Sequence, residues 1–312
     1  SGAVLRDGTF VVDGPPSSTL TVEWSKVSGP GSVAFADSHA VDTSATFSTG
    51  GVYVLRLTAT DGALTASDEV TITVKVHTTG LVDPKTGIWY LYGRDGRLAT
   101  SFYYGNPGDY PFLGDWDCDG VETPGLYRQS DGYVYLRNSN TQGVADVKFF
   151  FGNPGDIPLA GDFNGDGCDT VSIYRPSNQT FYIINRLGSD DKGLGAAEFS
   201  YVFGNPGDVP FVGDFDGDGI ETVGLHRAST GVVYFSNSHS QGVADAQFIF
   251  GDPGDRLIAG DWTGDGVFTP GVFRPSNTTL YLRYTNTQGV ADFQMTVGEP
   301  TWLPVAGVTA AG

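Results

Sequence analysis

Long hydrophobic runs, helical periodicity and basic residues are all scarce in this chain of 312 residues. No run of roughly 18 apolar residues occurs, which argues against a transmembrane helix, so we expect no membrane insertion. Sustained helical periodicity is missing, while Gly, Thr, Ser, Asn, Tyr and Phe are abundant, and this composition favours strands and turns. Lys and Arg number 17 against 36 Asp and Glu, and the resulting net charge of −19 excludes nucleic acid as a partner.

Histidine and cysteine are too few for several kinds of functional site. The four histidines show no metal-ligand spacing, and neither a Gly-x-Ser-x-Gly nucleophile motif nor a phosphate-binding glycine loop occurs, so we expect no enzyme. The two cysteines, Cys118 and Cys168, are compatible with an exported protein, and they either form a disulfide or remain unpaired thiols. The chain begins with Ser1-Gly2 and shows no signal peptide, so we expect the native protein to be longer.

The first part of the chain, residues 1–76, alternates apolar and polar residues in the manner of β-strands. Gly29-Pro30-Gly31 and Asp61-Gly62 supply turns between the alternating segments. Several short strands in so few residues predict a small β-sandwich with Trp24 in its core. The strand patterns cover residues 20–24, 52–59 and 70–74.

Four short motifs lie in this first part of the chain. They are Val22-Glu23-Trp24-Ser25, Ser28-Gly29-Pro30, Gly51-Val52-Tyr53 and Leu57-Thr58-Ala59-Thr60-Asp61-Gly62. Together they resemble the polycystic-kidney-disease (PKD) type of immunoglobulin-like domain. The resemblance implies a spacer domain on an extracellular protein.

The rest of the chain is built from sequence repeats, which are the main evidence for its fold. The acidic segment DWDCDGVET at residues 115–123 recurs at 162–170, 214–222 and 261–269, at spacings of 47, 52 and 47 residues. Each copy follows a Gly-(Asn/Asp)-Pro-Gly-Asp turn and a short apolar strand, and three more strand-like segments come after it. Four strands in each repeat are typical of one blade of a β-propeller.

The innermost strand of the repeat occurs five times, although the acidic loop occurs only four times. The five copies start near Pro111, Pro158, Pro210, Leu257 and Pro304. Residues 80–83, 88–91 and 100–104 read as three strands of a blade that lacks its innermost strand, so one blade is split between the chain ends. We therefore predict an all-β fold: an immunoglobulin-like β-sandwich of residues 1–76, followed by a five-bladed β-propeller of residues 77–312 that is closed by pairing of N- and C-terminal strands.

A second periodic pattern predicts an ion pair inside each of four blades. An aspartate precedes the innermost strand, an arginine ends the next strand, and the split blade lacks both residues. We expect these pairs to be structural. They are Asp109 and Arg128, Asp156 and Arg175, Asp208 and Arg227, and Asp255 and Arg274.

The acidic loops have the pattern Asp-x-(Asp/Asn)-x-Asp-Gly, which places oxygen atoms on alternate residues of a tight turn. Hard oxygen ligands without His or Cys favour Ca²⁺ over transition metals, and the glycine permits the sharp turn. Without a cation, three clustered carboxylates would repel one another. The alternative is that these segments are only Asp/Gly turns closed by side-chain-to-backbone hydrogen bonds.

With these loops, residues 78–312 resemble the FG-GAP/VCBS repeats of integrin-α-like propellers. The resemblance implies Ca²⁺ ligands at loop positions 1, 3, 5, 7 and 9, although threonine here replaces the usual acid at position 9. Either threonine or water completes the shell, or the acid at position 8 does: Glu122, Asp169 or Glu221. We expect the last loop to bind most weakly, because it has Thr263 at position 3 and Phe268 at position 8. The implied ligands are Asp115, Asp117, Asp119, Val121 and Thr123; Asp162, Asn164, Asp166, Cys168 and Thr170; Asp214, Asp216, Asp218, Ile220 and Thr222; and Asp261, Thr263, Asp265, Val267 and Thr269.

These features favour a secreted or cell-surface, monomeric, non-enzymatic module that binds calcium and takes part in adhesion or in binding a surface glycan or extracellular protein. The ligand class follows only from the fold, which is weak evidence for function. A carbohydrate-binding accessory region of a larger secreted hydrolase and a purely structural stalk are the alternatives.

Overall fold

The computed structural model describes residues 2–5 (backbone), 20–48, 50–189 and 192–309, and every regular element in these ranges is a β-strand. Residues 6–19 of the predicted sandwich lie outside the described residues. The chain divides into two compact units, Ser1–Val76 with Thr263–Gly266, and His77–Trp262 with Val267–Gly312. The predicted all-β class is therefore confirmed.

Among its described residues, the first unit contains two three-stranded antiparallel sheets, as in a β-sandwich. Burial alternates along its strands, so that Tyr53, Leu55 and Leu57 of one strand all point into a shared core. Trp24 is 7% exposed and belongs to that core, as predicted. One sheet has the order β1 (Gly2–Leu5), β4 (Thr43–Phe47), β3 (Val33–Phe35), and the other has the order β2 (Thr21–Ser28), β5 (Gly51–Thr60), β6 (Thr65–Val74).

The second unit contains five four-stranded antiparallel sheets among its described residues. Four of them are contiguous in sequence, and the fifth takes its first strand from the end of the chain. In sheet order, the strands are β10 (Tyr110–Gly114), β11 (Thr123–Arg128), β12 (Tyr133–Leu136) and β13 (Val147–Phe150); β14 (Ile157–Gly161), β15 (Thr170–Arg175), β16 (Thr180–Ile183) and β17 (Phe199–Val202); β18 (Val209–Gly213), β19 (Thr222–Arg227), β20 (Val232–Phe235) and β21 (Ala246–Ile249); β22 (Arg256–Gly260), β23 (Thr269–Arg274), β24 (Thr279–Leu282) and β25 (Phe293–Thr296); and β26 (Leu303–Gly307), β7 (Thr78–Asp83), β8 (Ile88–Tyr92) and β9 (Leu98–Tyr103).

The five first strands pack against one another at the centre of this propeller-like body. Each first strand contacts the next one in the order β10, β14, β18, β22 and β26, and β26 in turn contacts β10. The strands surround a cavity of 140 Å³ lined in part by Pro111, Pro158 and Pro210. Proline suits these positions because the first strand of each sheet is an edge strand, where one row of N–H groups has no partner.

Aromatic side chains fill the space between neighbouring sheets. Trp89, Tyr127, Tyr174, Phe181 and Phe273 are each at most 1% exposed. Rings of this size bury a large apolar area for little loss of side-chain entropy, which suits a body made of short strands. The sheets are therefore held together by packing, and their loops are left on the surface.

Candidate functional site

The acidic loops join the first and second strands of four sheets, and two of them gather three carboxylates. Ligand atoms of Asp115, Asp117 and Asp119 all lie within 4.8 Å of one another. The same holds for the third loop, in which the acids are Asp214, Asp216 and Asp218. In both loops the first aspartate is buried and the other two are exposed, so an ion held there would remain accessible to solvent.

In the first three loops, the first aspartate also organises the turn. In the second loop, Asp162 Oδ1 accepts hydrogen bonds from Gly165 N at 2.7 Å and Asp166 N at 3.1 Å, and Asp162 Oδ2 accepts one from Gly167 N at 2.7 Å. Gly167 has a φ of 86°, a conformation that a side chain would strain. The side-chain-to-backbone hydrogen bonds expected of simple Asp/Gly turns are therefore present in these three loops, and most of them are accepted by the first aspartate.

Charge and burial work against the ionised carboxylates in these loops. Burial raises the pKa of Asp115, and the charges of Asp119 and Asp117 raise it further, although amide hydrogen bonds from Gly120 and Asp119 oppose the shift. Burial likewise raises the pKa of Asp214, with a contribution from Asp218. A divalent cation would relieve this repulsion, and a set of carboxylate oxygens is the donor type that Ca²⁺ prefers. The residues present therefore fit calcium.

The threonines at position 9 are the first residues of β11, β15, β19 and β23. All four are buried, and each hydroxyl donates to a strand or loop carbonyl. The acceptors are Gly114 O at 3.4 Å for Thr123, Ile184 O at 2.8 Å for Thr170, Gly213 O at 3.4 Å for Thr222, and Arg283 O at 2.7 Å for Thr269. These bonds use the proton of each hydroxyl and leave its oxygen lone pairs, so they orient the threonine without preventing ligation of a cation.

The residues at position 7 are fixed through their amides in three loops. Val121 N, Cys168 N and Ile220 N each donate to the aspartate at position 5, at 2.8, 3.0 and 2.8 Å respectively. These bonds hold the backbone that would present the position 7 carbonyl to an ion. They also orient the position 5 carboxylate within the loop.

The acids at position 8 face the preceding sheet. Asp169 Oδ2 accepts from Asp115 N at 2.8 Å, and Glu122 Oε1 accepts from Val308 N at 3.0 Å. Glu221 lies so close to Gly161 that a Cβ there would collide with its Oε2. Burial, and then charge repulsion among these acids, raises the pKa of Asp169 and of Glu221 well above their usual values.

His77 completes the surroundings of Glu122 and was not assigned a role from the sequence. Its Nε2 lies 3.0 Å from Glu122 Oε1, and its ring is 4.5 Å from that of Phe268. His77 immediately precedes β7, whereas Glu122 and Phe268 each immediately precede the second strand of their own sheets. This shared position in the repeat was the signal that could have found it.

Cys118 and Cys168 form a disulfide, with a Cα–Cα distance of 4.8 Å. The bond settles the choice left open by the sequence in favour of paired cysteines. Each cysteine lies in an acidic loop, so the disulfide joins the first two loops directly. Asp169 N also donates to Asp115 O at 3.0 Å, which adds a backbone contact between the same loops.

The fourth loop lacks one of the three acidic side chains. Thr263 occupies position 3, and among the described residues this loop contributes no group of three carboxylates. Asp261 is buried and Asp265 is exposed, as at the corresponding positions of the first loop. The weaker cation binding expected of the fourth loop stays a prediction.

The four predicted Asp–Arg pairs are present within their sheets. Each arginine donates at least two hydrogen bonds to its aspartate, at 2.7–3.2 Å, and its guanidinium lies 4.5–4.8 Å from the ring of a tyrosine on the third strand. In the fifth sheet, Trp302 stacks on Tyr90 at 4.4 Å instead. A ring–ring contact thus replaces the ion pair where both of its members are missing.

A family model and a solved structure show similarity to this chain. Residues 7–74 match the family model described as "K319L-like, PKD domain", so this part of the chain is similar to a PKD domain. A solved structure titled "Crystal structure of BBS1N in complex with ARL6DN, soaked with mercury" is similar with a TM-score of 0.34 and 10% identity, over 73% of this chain and 70% of that chain. Within the described ranges, no helix is long and apolar enough to cross a membrane.

Proposed function

We propose that this chain is a non-enzymatic extracellular module in which calcium stabilises a five-bladed propeller that binds a surface glycan or an extracellular protein. The observation that carries the calcium assignment is the approach of three carboxylates to within 4.8 Å in each of two loops. Such clusters are unfavourable without a cation, and their hard oxygen donors suit Ca²⁺. The resemblance of the loops to FG-GAP/VCBS repeats supports the same ion.

The blade count and the closure of the ring rest on the sheet order. The repeated strand pattern yields five four-stranded sheets among the described residues, and their first strands contact one another in a cycle. The register of β26 on β7 pairs Leu303 with Val82 and Gly307 with Thr78. These observations support a closed five-bladed ring, which would leave no unpaired blade at the chain ends.

An extracellular location fits two features of the chain. The PKD-like domain is similar to a family of domains used as extracellular spacers, and the disulfide between Cys118 and Cys168 would persist in an oxidising compartment. A module of this kind acts by presenting a surface. A glycan array and a pull-down with the full chain would identify the ligand class, and silence in both would favour the structural stalk.

The calcium assignment is tested by thermal unfolding of the full chain in chelator and after addition of Ca²⁺. We expect the Tm to fall in chelator and to recover with Ca²⁺, because a site filled at 100 times its Kd adds about 2.7 kcal/mol to the free energy of unfolding. The double variant Asp117→Asn/Asp216→Asn weakens the two three-carboxylate loops. Its calcium-dependent rise in Tm should be less than half that of the wild type.

Asp95→Asn is the matched control, because Asp95 is an exposed acid outside the acidic loops. It should keep the full calcium response. A melting curve that is the same in chelator and in Ca²⁺ would remove calcium from the proposal.

A further inference from the structure

Three residues that depart from the repeat pattern meet in one cavity. The first strands begin with Tyr110, Ile157, Val209, Arg256 and Leu303, so Tyr110 and Arg256 bring polar groups to positions that are otherwise aliphatic. On the second strands, His226 stands where the other repeats have Tyr127, Tyr174 and Phe273. All three departures line a cavity of 250 Å³.

This cavity lies beside the central cavity that the five first strands surround, at the end where these strands begin. The acidic loops follow the last residues of these strands, so the cavity is at the opposite end from the candidate calcium sites. Its apolar wall is formed by Pro111, Leu257, Leu303 and Pro304. A cavity of this size, just below that of drug-sized ligands, suits one small organic molecule.

Arg256 is a partly buried cation without a carboxylate partner among the described residues. The other arginines at this end of the sheets are each paired with an aspartate, whereas Arg256 donates through Nη1 to the carbonyl of Trp302. Asp255 also lines the cavity, but its carboxylate is bound by Arg274. Burial lowers the pKa of the Arg256 guanidinium, and the nearby hydroxyl of Tyr110 counteracts this shift. A guanidinium in such a place has donors left for an anion, and its fork geometry matches a carboxylate.

His226 supplies a second polar group, and one of its ring nitrogens has no hydrogen-bond partner. The residue is 1% exposed, and its Nε2 is buried with no hydrogen-bond partner. Burial lowers its pKa, although the charges of Asp255 and Asp208 oppose the shift, and the net lowering favours the neutral ring with one N–H donor and one acceptor nitrogen. A buried polar atom without a partner costs roughly 1–3 kcal/mol, so a residue that only packs here would be better replaced by the aromatic found in the other repeats.

We propose that this cavity binds the carboxylate of a small organic anion. The Arg256 guanidinium receives the carboxylate, the neutral imidazole of His226 and the hydroxyl of Tyr110 hydrogen-bond its polar substituents, and the proline and leucine walls contact its carbon skeleton. Among such anions an acidic sugar unit fits best, since several hydroxyls would use both polar groups. The sugar assignment rests on the proposed glycan-binding function, whereas the carboxylate site does not.

The test is isothermal titration of the full chain, in Ca²⁺, with four probes: glucuronate, acetate, glucose and inorganic phosphate. We expect glucuronate to bind saturably with one site per chain, acetate to bind more weakly, and glucose and phosphate not to bind detectably. The repeats provide substitutions that the fold already accommodates, namely Arg256→Leu after Leu303 and His226→Phe after Phe273. Each should weaken glucuronate binding at least tenfold, and Arg97→Leu, which changes an exposed arginine, should leave it unchanged.

Glucuronate binding that survives Arg256→Leu, or no binding of any probe, would overturn the site. If Arg256→Leu does not fold, His226→Phe alone decides in the same way. Phosphate that binds while glucuronate does not would overturn the carboxylate assignment, and acetate as tight as glucuronate would overturn the sugar assignment. The calcium dependence of Tm is read separately on the wild type. A wild type that binds glucuronate but melts alike in chelator and in Ca²⁺ would refute the calcium proposal alone.

Discussion

At the scale of single residues, Glu221 shows how neighbouring sheets change the chemistry of a repeated position. The sequence left open whether the acid at position 8 turns into its own loop or away from it. Its carboxylate lies against Gly161 of the preceding sheet, near the carboxylates of Asp169 and Glu122. Burial and these like charges raise the pKa of Glu221 well above its usual value of 4.5.

The raised pKa of Glu221 predicts that the ion-free protein loses stability as pH rises. Between the usual pKa of 4.5 and the raised value, the folded chain holds a proton that the unfolded chain releases. The stabilising contribution is therefore complete below the usual value and is lost as pH rises through the raised one. In chelator, Glu221→Gln should raise the free energy of unfolding at pH 8 by roughly 1 kcal/mol and have no such effect at pH 4.

Urea unfolding in chelator across this pH range measures the effect. Glu299→Gln is the control, because Glu299 is an exposed glutamate outside the acidic loops. A Glu221→Gln curve parallel to that of the wild type at every pH would contradict the prediction.

Some residue positions could be predicted from the sequence and others could not. The Asp–Arg pairs were predictable, because both members recur at fixed places in the same sheet, where the strand register determines which side chains are neighbours. The direction of the position 8 acids was not, because it depends on the adjacent sheet. The cavity containing Arg256 and His226 was missed for the same reason, since its residues come from several sheets.

At the scale of elements, the disulfide gives the first two acidic loops a connection that the other loops lack. Cys118 and Cys168 are separated by 50 residues, so the bond closes a long loop in the unfolded chain. The sequence placed both cysteines in acidic loops but could not give their separation, which depends on how neighbouring sheets pack. The structure brings their Cα atoms to 4.8 Å.

Removing this disulfide should destabilise the protein. Cys118→Ser/Cys168→Ser should lower the free energy of unfolding by about 2–4 kcal/mol, because a cross-link over a loop of this length restricts the unfolded state. Urea unfolding of the variant measures this, and wild-type protein in reductant should show the same lower midpoint. Equal midpoints with and without reductant would mean that the bond is absent or does not contribute.

At the scale of the whole molecule, the split sheet is the feature that the sequence predicted through counting alone. The sequence has five innermost strands but four acidic loops. The fifth loop is missing because the split sheet takes its first strand from the end of the repeat region and its second strand from the start of that region. β26 accordingly pairs with β7, although the paired residues Leu303 and Val82 are 221 positions apart in sequence (303 − 82). The entropic cost of closing a loop rises only slowly with its length, so strands this far apart in sequence can still pair once the other sheets have packed.

The proposed closure of the ring by its terminal strands predicts a specific cross-link. Thr79 and Ala306 are directly opposite in the register of β7 and β26, so Thr79→Cys/Ala306→Cys should form a disulfide in the folded protein. The new bond should raise the Tm, because it prevents the last strand from leaving the sheet. Thr79→Cys/Ala160→Cys is the matched control, since Ala160 has the equivalent place in β14, whose neighbours are β10 and β18. Peptide mapping under non-reducing conditions should find the cross-link only in the first variant. A first variant whose added thiols stay free in the folded state would show that the terminal strands do not pair in solution and that the ring is open.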